Sequence, residues 1–322
     1  MLTLPEFVPA RWLRGPHWQT ILPSLLPAAG VKIRGETIDV AVAPETRVRM
    51  LVSTPPGTAR GTVLLVHGLG GSAESGYMRR TAVCALARGW AVARLNLRNC
   101  GGTEALAATL YNAGQSEDAD AALSALGARG FPSPFALMGF SLGGNIVMRY
   151  AGLSGGACRA DAVVGVNPPI DLSVCIDAIE RPSNAIYHAY FTRGLCAQLA
   201  RIRKLREVPG PKAAPRAIGG VRGFDDAFTA PDAGYATAAD YYRGASAAPT
   251  LSGLRRPSLI LSAEDDPFVP VSMFRAHRRA STQLTLAHPR AGGHCGYWAA
   301  RGPRFWAAEA AFAFIEASLA RG

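Results

Sequence analysis

The run Gly139-Phe140-Ser141-Leu142-Gly143 is the stretch of this sequence best suited to chemistry, because it fits the pattern G-x-S-x-G. A serine hydroxyl is a weak nucleophile until a neighbouring base takes its proton. In this pattern the serine occupies a strained strand-to-helix turn that projects Oγ from the top of a sheet, and the flanking glycines leave room for the bend. The pattern needs a strand before it and a helix after it. Both are predicted, over residues 135–140 and 142–151. The positive N-terminal end of that helix points to where negative charge would develop. The implied chemistry is attack by Ser141 on an acyl carbon.

Such a serine needs a base. Of six histidines, His294 is the best placed, in Gly292-Gly293-His294 just past the last predicted strand. Its glycines let it swing over the strand ends. His67 precedes a glycine-rich loop and is expected to shape that turn. His17, His188, His277 and His288 fall on an N-terminal arm, a helical insertion, a helix face and a strand end, where surface or capping roles suffice. The third group should be a carboxylate between serine and histidine in chain order, because it fixes the imidazole tautomer. The strand at 258–262 runs into Glu264-Asp265-Asp266-Pro267, and Asp266 lies four residues before Pro270, the usual placement in D-x-x-V-P turns. Asp266 is therefore taken ahead of Asp265, and Asp265 is expected to cap the following helix. Backbone N–H groups of Leu142 and Leu69 are expected to hold the oxyanion. Cys295 adjoins His294 and is a rival nucleophile, but adjacent residues point apart and no elbow surrounds it.

These residues need a sheet to hold them. Residues 36–42 and 48–53 alternate apolar and polar, as a half-buried hairpin would. Short buried strands follow at 62–66, 90–97, 135–140 and 162–167, and again at 258–262 and 283–287. Helices are expected at 77–88, 117–128, 142–151, 272–280 and 305–319. This alternation implies a mostly parallel sheet with helices on both faces. From about Ile170 to Ala248 the text is helical, basic and interrupted by Pro and Gly. The expected organisation is an N-terminal arm (1–30), a core in two parts (31–170 and 251–322) and a helical lid insertion (171–250).

Composition narrows the rest. The chain has 322 residues, 49% hydrophobic and 18% charged, enough for a large core. No apolar run reaches the roughly 18 residues a membrane-spanning helix needs. The first residues lack the charge order of a secretory signal, so a cytoplasmic protein is expected. The six cysteines form no C-x-x-C pair and no zinc-ligand spacing, and reduced thiols are expected. The formal charge is +11, yet only Lys32, Lys204 and Lys212 are lysines. Between Arg193 and Arg222 eight basic residues face one acid, Glu207. That excess suits an anionic substrate or weak contact with an anionic membrane surface, although a solvated helix face explains it as well. No nucleic-acid recognition motif accompanies it.

With the pieces in place, the sequence resembles the YheT-like branch of the α/β hydrolases, AB hydrolase family 4. The resemblance extends over nearly the whole chain. It is carried by His67-Gly68-Leu69-Gly70-Gly71-Ser72, by Asn96-Leu97-Arg98-Asn99-Cys100-Gly101-Gly102 and by residues 139–145. Phe224-Asp225-Asp226 through Tyr241-Tyr242, Ala245-Ser246 and Ala263-Glu264-Asp265-Asp266-Pro267 also follow the pattern. Arg14-Gly15-Pro16-His17-Trp18-Gln19-Thr20 resembles the family's N-P-H-x-Q-T opening, with Gly15 for Asn. Asn99, where Gly is common, and Cys295 after the histidine depart from it. The resemblance implies the α/β-hydrolase fold and a charge relay of Ser141, Asp266 and His294. It implies a serine hydrolase acting on a small-molecule ester or lipid, with no metal or organic cofactor. A carboxylic ester is the expected substrate, a thioester or phospholipid the alternative. A non-catalytic binding protein on the same fold is the rival of another class, against which the intact Ser, His and Asp argue.

Overall fold

Every residue of β3 (Thr62–Val66) and β6 (Ala162–Val166) is buried, which requires cover on both faces of the sheet. In the computed structural model these strands lie in one eight-stranded sheet. Its other members are β1 (Glu36–Ala43), β2 (Thr46–Ser53), β4 (Ala91–Asn96), β5 (Phe135–Phe140), β7 (Ser258–Leu261) and β8 (Leu284–Ala287). The spatial order is β1-β2-β4-β3-β5-β6-β7-β8. The pairs β1/β2 and β2/β4 are antiparallel and all others parallel. The structure describes residues 4–13, 15–26, 33, 35–211 and 215–321, with backbone alone at 215 and 216. Arg14, Lys32, Lys212, the side chain of Arg216 and the expected boundary at residue 30 lie outside the described residues.

Successive strand residues face opposite sides, and the core divides accordingly. Val63 and Leu65 of β3, with Met138 and Val164, pack under α2 (Gly76–Ala87) and α11 (Trp306–Leu319). Leu64 and Val66, with Leu137 and Val163, pack under α3 (Ser116–Ala128) and α4 (Leu142–Ser154). Each large apolar side chain buried in these layers contributes on the order of 1.5–3 kcal/mol. This is the expected α/β architecture.

One helix is unexpected and another needs correction. Within the N-terminal arm, Pro16–Leu25 forms α1. Pro16 suits its first turn, where a missing N–H costs nothing. The helix expected at 272–280 stops at Arg275, as α10 (Ser272–Arg275), because only Phe274 among its residues is buried and no apolar face continues.

Between β6 and β7 every regular element is helical among the described residues: α5 (Leu172–Ile179), α6 (Ala185–Ile202), α7 (Gly220–Phe224), α8 (Ala230–Asp232) and α9 (Ala238–Ala245), with shorter turns. Asp171 caps α5 by accepting from Val174 N–H at 3.3 Å, and Thr237 caps α9 by accepting from Asp240 N–H at 3.1 Å. α6 buries Tyr187, Leu195, Leu199 and Ile202 and leaves Ile186, Tyr190 and Arg193 outside.

Candidate active site

The parallel pairings bring the carboxyl ends of five strands to one edge: Val66 opposes Gly139, Phe140 opposes Val166, Val166 opposes Leu261, and Leu261 opposes Ala287. Strand β3 has β4 on one side and β5 on the other, so the loops leaving β3 and β5 part and open a crevice at this edge. Ser141 and the loop His67–Gly71 stand there.

Ser141 sits between β5 and α4 at φ 52°, ψ −123°, a strained conformation for a residue with a side chain. Two residues away on each side stand glycines, because nothing else fits there. A Cβ on Gly139 would lie 2.1 Å from the Gly143 carbonyl oxygen, and one on Gly143 would lie 2.4 Å from the carbonyls of Val66 and His67.

The structure brings Ser141, His294 and Asp266 together. His294 Nε2 is 2.8 Å from Ser141 Oγ, and its Nδ1 is 2.8 Å from Asp266 Oδ2. With Nδ1–H donating to the carboxylate, Nε2 is free to accept from the serine hydroxyl. The Asp266 side chain is fully buried and takes four hydrogen bonds in place of water. Its Oδ1 accepts from Phe268 N–H at 3.0 Å and Val269 N–H at 2.9 Å. Its Oδ2 accepts from Asn167 Nδ2 at 2.5 Å as well as from His294. Burial disfavours the charged imidazole of His294, but the Asp266 carboxylate and the Cys295 side chain beside it together outweigh this and hold the pKa above the ordinary histidine value.

Asp265 does not cap the following helix. Its Oδ1 accepts from Gly293 N–H at 2.8 Å, so it ties down the His294 loop, and Asp266 itself takes the amides of the following turn. Cys295 Sγ approaches Val166 O at 3.7 Å and also interacts with His294, whose Nε2 lies 2.8 Å from Ser141 Oγ.

Gly68 lies against Ser141, since a Cβ there would be 2.9 Å from Ser141 Cβ. Leu69 follows it, and Leu142 is the first residue of α4. Among the described residues neither the Leu69 nor the Leu142 N–H has an acceptor. The loop is held by its neighbours: Gly68 N–H donates to Tyr77 Oη at 3.0 Å and Gly70 N–H to Tyr111 Oη at 3.2 Å. His67 is fully buried, donates from Nδ1 to Gly68 O at 2.8 Å and accepts from Leu97 N–H at 3.1 Å. Burial lowers its pKa to about 4 and keeps it neutral, so it shapes the turn as expected.

Three residues escaped sequence reasoning. Asn167, at φ 47° just past β6, donates to Asp266 and to Gly293 O at 3.2 Å. Asparagine's tolerance of that region was the one local signal. Phe268 lies tilted against the His294 ring, with centroids 4.1 Å apart, and carries Tyr187 and Phe191 of α6 behind it, at 5.1 and 5.8 Å. Thr20, on α1, accepts from His294 N–H at 2.8 Å.

A mostly parallel sheet with a serine elbow at the switch of its strand order defines a class, the α/β hydrolases. Residues 61–300 match the sequence profile described as the alpha/beta hydrolase fold. The chain is 33% identical over 298 residues to YheT of Escherichia coli, which carries the name of an esterase, covering 91% of this chain and 87% of that one. It is 28% identical to the monoacylglycerol lipase of Saccharomyces cerevisiae, over 80% of this chain and 59% of the lipase. It is 26% identical to the mouse phospholipase ABHD3, over 92% of this chain and 74% of the phospholipase. Among solved structures, 2,6-dihydroxy-pseudo-oxynicotine hydrolase superposes with a TM-score of 0.62 at 18% identity, over 90% of this chain and 70% of that one. The chain belongs to the α/β-hydrolase family, and within it to the YheT-like branch, as an enzyme of the ester-hydrolase class.

Proposed function

We propose that the protein hydrolyses carboxylic esters through an acyl-enzyme on Ser141. As Ser141 Oγ bonds to the acyl carbon, His294 Nε2 takes the hydroxyl proton and the carbonyl electrons move to oxygen. The N–H groups of Leu69 and Leu142 hold that oxyanion. Its collapse breaks the bond to the leaving alcohol, which receives the proton from His294. Water then repeats the sequence and releases the acid. Asp266 holds the tautomer and stabilises the imidazolium. The observation that supports this most is the pair of 2.8 Å contacts linking Ser141, His294 and Asp266 at a strained elbow.

A lipid ester is the substrate class favoured by the aromatic wall of Phe268, Tyr187 and Phe191 beside His294, and by relatives named as a monoacylglycerol lipase and a phospholipase. The helical insertion, residues 171–250, would serve as the lid. Of its basic run, Arg201 is paired with Glu104 at 2.7 Å, Arg203 donates to Pro211 O at 2.9 Å, and Arg206 donates to Ala107 O at 3.2 Å. Those three hold structure. The charges available to an anionic lipid surface are Arg193, on the α6 side that shows Ile186 and Tyr190, and Lys204, in the turn just past α6, both exposed and without an acidic partner among the described residues. No described helix is long and apolar enough to cross a membrane. Six free cysteines support a cytoplasmic location.

The test is Ser141→Ala on a series of p-nitrophenyl esters of graded acyl length, alongside lysophospholipid and acyl-CoA. Turnover should fall by several orders of magnitude, on the order of a millionfold if the covalent route is lost, with the melting temperature unchanged. A fluorophosphonate should label Ser141, and EDTA should leave activity unchanged. Labelling at Cys295, or turnover within tenfold of wild type in Ser141→Ala, defeats the proposal.

A further inference from the structure

The opening motif Gly15-Pro16-His17-Trp18-Gln19-Thr20 has no part in the chemistry above, yet α1 lies against the loop that carries His294. Thr20 donates its hydroxyl proton to Pro16 O at 2.7 Å, which leaves its lone pairs for His294 N–H at 2.8 Å. Gln19 is fully buried and makes a two-way bridge to one residue: Oε1 accepts from Trp298 N–H at 2.8 Å, and Nε2 donates to Trp298 O at 3.3 Å. Packing leaves no slack between the two segments. A Cβ on Gly293 would meet Pro16 O at 2.5 Å and Thr20 Oγ1 at 2.6 Å, and a Cβ on Gly296 would meet Gln19 O at 1.7 Å. Pro23, inside α1, has no N–H to give the Gln19 carbonyl, so this oxygen lacks its helical donor where Gly296 packs against it. Arg80 of α2 fastens the far end of α1 by donating to Pro23 O and to Leu26 O, at 2.5 and 3.1 Å.

The loop needs such a hold. Gly292, Gly293, Cys295 and Tyr297 all have positive φ, at 148°, 55°, 59° and 42°. Two of these carry side chains, and such backbone persists only where its surroundings over-determine it. Asp265 and Asn167 fix the loop from the sheet side, through Gly293 N–H and Gly293 O. α1 fixes it from the other side, at His294 N–H itself.

We propose that α1 is a positioning element of the active site: Thr20 and Gln19 clamp the main chain at His294 and at Trp298 beyond it, and so set the reach of the His294 imidazole to Ser141 Oγ. This inference rests on Ser141, His294 and Asp266 being the catalytic set. His17 extends the clamp, since its Nδ1 lies 3.0 Å from Tyr187 Oη on α6, so the same helix that holds the histidine touches the insertion beside the site.

The test is Thr20→Val, which keeps the shape and removes the acceptor, with Thr20→Ser as the conservative rescue and Ser141→Ala alongside. The readouts are kcat and KM on p-nitrophenyl butyrate, the rate of fluorophosphonate labelling per site, and the number of sites labelled. Misplacement of a catalytic group by a fraction of an ångström costs on the order of tenfold to a hundredfold in rate. Thr20→Val should lose that much in kcat and in labelling rate per site, with KM within about twofold, and Thr20→Ser should restore both. If Thr20→Val instead has fewer labelled sites reacting at the normal rate, α1 serves folding alone and the proposal falls. It falls equally if kcat and labelling rate stay within twofold of wild type while Ser141→Ala is inactive. Full turnover in Ser141→Ala would remove the catalytic set, and the clamp's role with it.

Discussion

Replacing Asp266 by Asn keeps the volume of the side chain and removes one charge, so the consequences are set by its four hydrogen bonds. Oδ1 can go on accepting from Phe268 and Val269 N–H. The other end becomes an NH₂ group facing two donors, Asn167 Nδ2 and His294 Nδ1. The imidazole escapes that clash by moving its proton to Nε2, which then points a donor at Ser141 and cannot take its proton. A wrong tautomer of this kind costs about 10⁴ in kcat, or roughly 5.5 kcal/mol at about 1.4 kcal/mol per decade. Asp265→Asn is the control. It keeps an oxygen for Gly293 N–H at 2.8 Å and leaves the His294 contact alone, so about tenfold or less is expected. The assay is kcat/KM on p-nitrophenyl butyrate across pH 5 to 10. Because His294 must be unprotonated to act, and Asp266 raises its pKa against the effect of burial, wild-type activity should climb with pH through a limb above the ordinary histidine value. Any residual activity of Asp266→Asn should show that limb displaced to lower pH, since the raising charge is gone. A larger loss in Asp265→Asn than in Asp266→Asn, or a limb that stays in place, refutes the assignment of the acid.

Two further outcomes follow from groups outside the triad. Asp225 is buried with Tyr242 Oη donating to it at 2.8 Å, and burial raises its pKa to about 6, above the unfolded value. Its contribution to stability is therefore complete below the unfolded carboxylate pKa and lost as pH rises through about 6. Asp225→Asn should narrow the difference in melting temperature between pH 4.5 and 7.5, and an unchanged difference would rule this out. Arg193→Gln with Lys204→Gln should lower kcat/KM for an anionic lipid dispersion and spare a neutral ester, and salt should mimic the change in wild type because charges are screened within about 10 Å at 0.1 M. Equal rates on both substrates would make these residues an ordinary solvated face.

The middle of the sheet was legible because its strands are short, apolar and buried on both faces, and such runs declare themselves within five or six residues. β3, β5 and β6 were expected at 62–66, 135–140 and 162–167, and the structure has them at Thr62–Val66, Phe135–Phe140 and Ala162–Val166. The elbow was legible for the same reason, since strand, serine and helix are contiguous. α1 was not. Its stabilising contacts reach Trp298, 279 residues away, and nothing in Pro16–Leu25 other than Pro at its first position announces a helix. The helix expected to run on to Ala280 failed in the opposite sense: residues 275–279 had helix-forming arginines but no buried face to justify them.

What surrounds the relay depends on which strands are neighbours, and that is where local pattern stops. Asn167 reaches Asp266 because β6 pairs with β7 in the register Val166 to Leu261, which sets the residues just past each strand side by side. Asp265 and Asp266 differ by one position in a turn, yet one faces the imidazole and the other the amide of Gly293. Sequence spacing put Asp266 ahead of Asp265 but expected Asp265 to cap a helix, whereas its partner comes from a loop 28 residues on. The residues proposed to do the chemistry sit at strand ends and can be found from periodicity. Those proposed to aim them, Asn167, Asp265 and Thr20, are chosen by tertiary proximity to the backbone of one strained loop, which no local pattern shows.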